Sequence, residues 1–242
     1  MSLATVLVLG FFLGMRHATD ADHVVAVSAI VSRERTLRAA APVGVAWGVG
    51  HTATIILVGG AIVLFGFTIT PRLGLGMELA VAMMLIVLGA INLRSILREA
   101  RKLAEDRAHG HAHALGDSAL GSVDRWFGAS RGYRLLRPLV VGVVHGLAGS
   151  AAVTLLVLGT VRGAWAALVY LFTFGLGTIA GMLLITLAFA TPLALTAQRF
   201  GRLNRSLTVA ASMLSVGFGG YLVYEVGFVH GLFTSHPQWT PQ

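Results

Sequence analysis

The segment RHATDADH at residues 16–23 concentrates five ionisable side chains in a chain that is otherwise rich in apolar residues. They are Arg16, His17, Asp20, Asp22 and His23. Two imidazoles and two carboxylates offer nitrogen and oxygen ligands that suit a divalent transition-metal ion. The chain has no cysteine, so a thiolate site is excluded. The segment therefore predicts a metal site of histidine and aspartate, in which the arginine neutralises the carboxylate that the metal does not use.

The composition indicates that this segment lies in a membrane. The chain has 242 residues, of which 56% are hydrophobic and only 12% are charged, whereas a soluble domain has about 25% charged residues. Apolar runs that are long enough to cross a bilayer predict six transmembrane helices. They lie at roughly 3–32, 41–67, 75–97, 138–161, 163–192 and 207–229. We therefore predict an all-α polytopic membrane protein.

Helix geometry leaves two arrangements of the ionisable side chains open. In a regular helix His17, Asp20 and His23 form one stripe, and Asp22 points away from it. Arg16 and Asp20 are four residues apart and can form an ion pair. If they do, Asp22 can join the two histidines only where the helix is unwound or distorted, for which Gly14 is the expected weak point. We predict this second arrangement, with Asp22 as the ligand and Asp20 as the partner of Arg16. A purely structural alternative is a set of intrahelical salt bridges that holds neighbouring helices together.

The basic residues are distributed unevenly between the predicted loops. The loops at 33–40, 94–137 and 193–206 lie on one side of the membrane and carry 15 of the 18 Lys and Arg residues. The positive-inside rule therefore places these loops in the cytoplasm and both termini outside. The same distribution argues against a nucleic-acid partner and for a lipid bilayer. The central loop contains HGHAH at 109–113, which is either a metal-collecting tract or a solvated linker.

The two halves of the chain resemble each other weakly at an offset of about 128 residues. The matched segments are GMRHA (14–18) with GVVHG (142–146), GVGHT (48–52) with GLGTI (175–179), and AMMLIVLGAINL (82–93) with ASMLSVGFGGYL (211–222). Because a unit of three spans is odd-numbered, its second copy must enter the membrane upside down. We therefore predict two inverted three-helix repeats, at 1–97 and 138–242, joined by a linker at 98–137, with a substrate site near the midplane.

The stretch RHATDADHVVAV (16–27) resembles the signature R-H-A-x-D-A-D-H of the nickel/cobalt transporter (NiCoT) family, whose core is H-x-x-x-x-D-H. The core matches His17, Asp22 and His23, and the resemblance implies that they take part in Ni²⁺ or Co²⁺ uptake. The segment WGVGHT (47–52) is similar to the family's G-H-[ST] segment and nominates His51. The chain departs from typical members, which have eight spans, and so resembles a divergent six-span branch of the wider nickel/cobalt transport and efflux superfamily.

Later segments of the family carry acids, whereas the corresponding VHGLAGSAA (144–152) has none and contains His145. His145 is therefore a further candidate ligand, although its Gly, Ala and Ser neighbours are equally typical of a close-packing surface. His51 has the alternative of a simple hydrogen bond to a neighbouring helix. Glu78 and Glu225 lie near the ends of predicted spans and are predicted to be structural.

The leading hypothesis is a secondary transporter of Ni²⁺ or Co²⁺ that is not an enzyme and needs no cofactor. The resemblance implies metallochaperones, or urease and hydrogenase maturation proteins, as candidate partners. The alternative is an intramembrane metal-dependent hydrolase, in which His17, His23 and an aspartate would hold Zn²⁺ and activate water.

Overall fold

The computed structural model describes residues 3–32, 34, 36–67, 69–108, 131–160 and 163–239. Across these ranges the protein is helical, which confirms the predicted all-α class. Its helices are α1 Leu3–His17, α2 Ala21–Val31, α3 Leu37–Phe65, α4 Pro71–Ala108, α5 Arg131–Thr160, α6 Ala164–Arg199 and α7 Gly201–Tyr224, followed by a π-helical turn at Glu225–Val229. The histidine-rich tract at 109–113 lies outside the described residues.

Four segments of the described chain are long and apolar enough to cross a membrane. They are Leu37–Phe65, Pro71–Arg101, Ala164–Thr196 and Gly201–Val229, in α3, α4, α6 and α7. The other two predicted spans coincide with shorter apolar helices, namely Ala4–His17 and Ala21–Val31 at the N-terminus and Leu135–Gly149 within α5. The protein is therefore a membrane protein, and a total of six spans stays a prediction.

The first predicted span is interrupted in its middle. Helix α1 ends at His17, and α2 begins only at Ala21. The amide of Thr19 donates to the carbonyl of Arg16 (2.8 Å), and the Thr19 hydroxyl donates to the same oxygen (2.6 Å). Asp20 then takes an extended backbone conformation (φ −61°, ψ 150°), which the α-helical hydrogen-bond pattern cannot include. The distortion that the Asp22 arrangement requires is therefore present, but at Ala18–Asp20 and not at Gly14, which lies inside the regular helix α1.

The remaining helices pack in a regular pattern around this break. Helix α1 packs against α6, α5 packs against α3, α3 and α6 pack against each other, and α4 packs against α7. Several contacts are so close that they need glycine: a Cβ atom at Gly14 would collide with the Phe174 carbonyl, and one at Gly142 would collide with the Trp47 carbonyl. Small residues allow this backbone approach between membrane helices.

Polar side chains also join the helices that carry the site. Thr52 of α3 donates its hydroxyl to the Gly175 carbonyl of α6 (3.0 Å). Thr54, half a turn further on, donates to the Val143 carbonyl of α5 (3.2 Å). Because both acceptors belong to other helices, these bonds hold α3 in register with its neighbours. His51 directly precedes Thr52, so its position is set by the same contacts.

Candidate metal centre

Four histidines and one aspartate from four different helices meet beside the break between α1 and α2. They are His17 of α1, Asp22 and His23 of α2, His51 of α3 and His145 of α5. The imidazole of His23 is central: its ring centre lies 4.7 Å from that of His17, 5.0 Å from that of His51 and 4.2 Å from that of His145. His23, His51 and His145 are each no more than 2% exposed. The structure thus brings Asp22 to His145, which the sequence separates by 123 positions.

The donor atoms of these residues form two groups of three. One group comprises His17, His23 and His51, and the other comprises Asp22, His23 and His145. Within each group one ligand atom per residue lies within 4.8 Å of the others. Imidazole nitrogen and carboxylate oxygen are ligands for first-row divalent ions such as Ni²⁺, Co²⁺ and Zn²⁺. Each group therefore has the composition and the spacing of a candidate metal site.

Asp20 orients His17. Nδ1 of His17 donates to Oδ2 of Asp20 (2.7 Å), because an ionised carboxylate can only accept. With the proton on Nδ1, Nε2 of His17 is an acceptor, and Nε2 of His51 donates to it (3.2 Å). A carboxylate behind a ligating histidine commonly orients the ring and raises its basicity.

The predicted ion pair between Arg16 and Asp20 is not formed. In the described part of the chain the ion pair of Asp20 is with His17, and Arg16 is exposed. The spacing of four residues brings two side chains together only on a continuous helix. Because α1 ends at His17, Asp20 lies beyond the helical register that the prediction assumed.

Asp22 bridges two histidines. Its Oδ1 accepts from Nδ1 of His23 (3.0 Å) and from the His23 backbone amide (2.9 Å). Its Oδ2 accepts from Nε2 of His145 (2.8 Å). One aspartate therefore links α2 to α5. In a helix that continued unbroken from His17, the same side chain would point away from the histidines.

Three imidazole nitrogens of the cluster are buried and have no hydrogen-bond partner in the described structure: Nε2 of His23, Nδ1 of His51 and Nδ1 of His145. Leaving a buried polar atom unpaired costs about 1–3 kcal/mol, so native proteins rarely tolerate several in one place. Their concentration here is explained if the cluster is built to bind a ligand.

A cavity of about 350 Å³ reaches this cluster. Asp20, Asp22, His23 and His145 line it, together with Glu78, Glu225 and His230. Glu78 lies in the second turn of α4 and Glu225 directly follows α7, so these two acids belong to the same end of the α4–α7 pair. The sequence analysis had assigned both glutamates only a structural role. Their shared position near the ends of predicted spans, on the same predicted side of the membrane, was the signal that could have indicated the cavity.

The sequence analysis also did not select Trp47. This residue is 1% exposed, and its indole lies 5.7 Å from the ring of His23 and 5.8 Å from that of His145, centre to centre. It therefore forms an apolar wall behind the cluster. Its place at the start of WGVGHT, four residues before His51, was the available signal.

The fold and the cluster together define an all-helical membrane protein with a buried histidine and aspartate centre of metal-binding composition. Over 233 residues the chain is 34% identical to the urease accessory protein UreH of Bacillus sp. (strain TB-90), and the match covers 96% of each chain. The protein therefore belongs to the UreH family.

Two further relatives match less of their own length. The chain is 33% identical over 125 residues to the hydrogenase nickel incorporation protein HupN of Bradyrhizobium diazoefficiens, covering 49% of this chain and 32% of HupN. It is 23% identical over 231 residues to the chloroplast protein FOR GROWTH AND FERTILITY 2 of Arabidopsis thaliana, covering 93% and 57%. No protein-family model and no solved structure matches the chain. These relatives confirm the resemblance at the level of the nickel/cobalt transporter superfamily, and the NiCoT branch stays a prediction.

Proposed function

We propose that the protein transports Ni²⁺ or Co²⁺ across the membrane through the cluster of His17, Asp22, His23, His51 and His145. The observation that carries this proposal is the set of buried imidazole nitrogens, unpaired in the described structure, beside a broken helix. Broken helices at mid-membrane are a feature of substrate sites in secondary transporters. The names of UreH and HupN, which refer to urease and to hydrogenase nickel incorporation, support nickel as the cargo.

The helix packing supports the proposed inverted repeat. The offset of about 128 residues that relates the two halves also relates their close contacts, which fall into matching pairs. These pairs are Gly14 on Phe174 with Gly142 on Trp47, and Gly177 on Phe11 with Gly50 on Leu139. Exchanging the halves therefore converts the α1–α6 contact into the α5–α3 contact. Two such halves that rock against each other would expose a shared site to each side in turn.

The comparisons do not favour the alternative of a metal-dependent hydrolase. UreH and HupN are named as accessory and incorporation proteins. The same names support urease and hydrogenase maturation proteins as candidate partners, which co-purification with the tagged protein would test. The donor set alone does not select the metal, because nitrogen and oxygen sites rank Cu²⁺ above Ni²⁺ and Ni²⁺ above Co²⁺.

Cellular metal content tests the proposed function. Cells that express the protein should differ from cells without it in Ni²⁺ or Co²⁺ content, measured by elemental analysis over a range of external concentrations. A higher content indicates import, and a lower content indicates export. As a control, His236→Ala should change the metal content of the cells as the wild-type protein does, because His236 is exposed and lies outside the cavity lining. Equal Ni²⁺ and Co²⁺ contents in cells with and without the protein would contradict transport.

The proposed orientation places both termini outside and the three basic loops in the cytoplasm. Because the chain has no native cysteine, Ser2→Cys and Ser118→Cys each provide a single thiol. In intact cells a membrane-impermeant thiol reagent should label position 2 and not position 118. After the membrane is permeabilised, both should react, which controls for buried thiols. The reverse pattern in intact cells would show that the orientation is wrong.

A further inference from the structure

We propose that the cluster holds the transported ion at two successive positions that share His23. This inference rests on the proposed function and divides its site in two. The cavity-side position consists of Asp22, His23 and His145. The inner position consists of His17, His23 and His51. In each transport event the ion exchanges two of its protein ligands and keeps the third.

The spacing of the donor atoms is the first argument for two positions. Two ligand atoms that are each about 2.1 Å from one ion, as in zinc–histidine sites, can lie no more than about 4.2 Å apart. The donor atoms of each group lie within 4.8 Å of one another, so a small closure brings them onto one ion. The five residues do not form one such set, and the rings of His51 and His145 are 6.0 Å apart. One ion therefore engages one group at a time.

Access from the cavity distinguishes the two positions. Asp22, His23 and His145 all line the cavity, so an ion in it meets this group directly. His17 also lines the cavity, but His51, which completes the other group, does not and is fully buried. An ion can thus gain His51 as a ligand only by moving deeper than the cavity-side group.

Asp22 has a different part in each position. At the cavity-side position its Oδ2 is a ligand, and the hydrogen bond that it now accepts from Nε2 of His145 is given up to the ion, while the His145 proton moves to the unpartnered Nδ1 of that ring. The bond from Nδ1 of His23 is kept, so Nε2 of His23 is the ligand in both positions. At the inner position it acts as a positioning residue, because it accepts from Nδ1 of His23 as Asp20 accepts from Nδ1 of His17. Both rings are then oriented by a carboxylate, an arrangement known from metal sites.

The sharing of His23 and Asp22 has a kinetic consequence. Because both positions need the same imidazole, filling one excludes filling the other. An ion that moves between them always keeps one protein ligand, so it is never released fully into the apolar part of the protein. The step between the two positions is thus an exchange of Asp22 and His145 for His17 and His51.

Binding and transport by two single variants test this division. We expect the purified full-length protein to bind one Ni²⁺ per chain in calorimetry. His51→Ala removes only an inner ligand, and His145→Ala removes only a cavity-side ligand. Each variant should still bind one Ni²⁺ with weaker affinity, whereas the double variant should bind none. Transport should be lost in both single variants, because each has lost one of two consecutive positions. His236→Ala should bind and transport normally.

A second readout separates the two positions spectroscopically. Co²⁺ bound to His51→Ala should have a visible absorption spectrum different from that of Co²⁺ bound to His145→Ala, because one site contains a carboxylate and the other only imidazoles. Variants that do not elute as a single species in size exclusion are replaced by His51→Gln and His145→Gln.

Three results would overturn the two-position arrangement: two ions bound per chain, complete loss of binding in one or both single variants, or identical Co²⁺ spectra. Failure of the proposed function has a different signature, because the wild-type protein would then bind metal without transporting it.

Discussion

Replacing His23 with alanine is expected to abolish both Ni²⁺ binding and transport. His23 is the one residue that belongs to both groups of metal donors in the described structure. Its ring contacts those of His17, His51 and His145, so no neighbouring imidazole can take its place without moving the backbone. Calorimetry on the purified protein and uptake in cells measure the two losses.

Two controls accompany the His23 variant. His236→Ala removes an exposed histidine and should leave binding and transport unchanged. His23→Gln keeps most of the volume of the buried ring, so it separates loss of the ligand from a cavity in the core. Binding of Ni²⁺ by either His23 variant with wild-type affinity would show that the metal site lies elsewhere.

The two aspartates are expected to differ sharply when each is replaced by asparagine. Asp22→Asn should abolish transport, because Asp22 is the carboxylate that joins His23 to His145. Asp20→Asn removes only the partner of His17 and should weaken metal binding by about 10–100-fold, as is typical when the carboxylate that orients a ligating histidine is lost. Side chains of equal size make the comparison independent of packing.

Binding titrations with the two variants decide between the two arrangements that helix geometry left open. Normal Ni²⁺ binding by Asp22→Asn, together with complete loss of binding in Asp20→Asn, would show that the metal ligands are His17, Asp20 and His23, as in a regular helix. Adding Arg16→Ala to Asp20→Asn should rescue nothing, because Arg16 is exposed and Asp20 pairs with His17. A clear rescue would show that Arg16 and Asp20 interact in the membrane.

Local sequence predicted a distortion of the first span as a condition of the Asp22 arrangement, but it placed the distortion at Gly14 and paired Asp20 with the wrong side chain. Once Arg16 was assigned to Asp20, the geometry of a regular helix required a distortion to bring Asp22 to the histidines. The structure contains the distortion, at Ala18–Asp20, but pairs Asp20 with His17. The break itself changes the angular relation on which the predicted ion pair depended, so the prediction of the break and the prediction of the pair were not independent.

The amino-acid sequence by itself determined the class of the protein and the types of ligand that its candidate site offers. Apolar length decides whether a segment can cross a bilayer, and residue type decides which ligands it can offer, and both are local properties. Only the tertiary structure decided which donors meet. Asp22 and His145 are 123 residues apart, and their contact depends on how α5 packs on α3 and on the break before α2. The same reason explains why only the structure identified four neighbours of the site, namely Glu78, Glu225, His230 and Trp47. Several helices form the surroundings of the site together, so their shape cannot be predicted from any single segment.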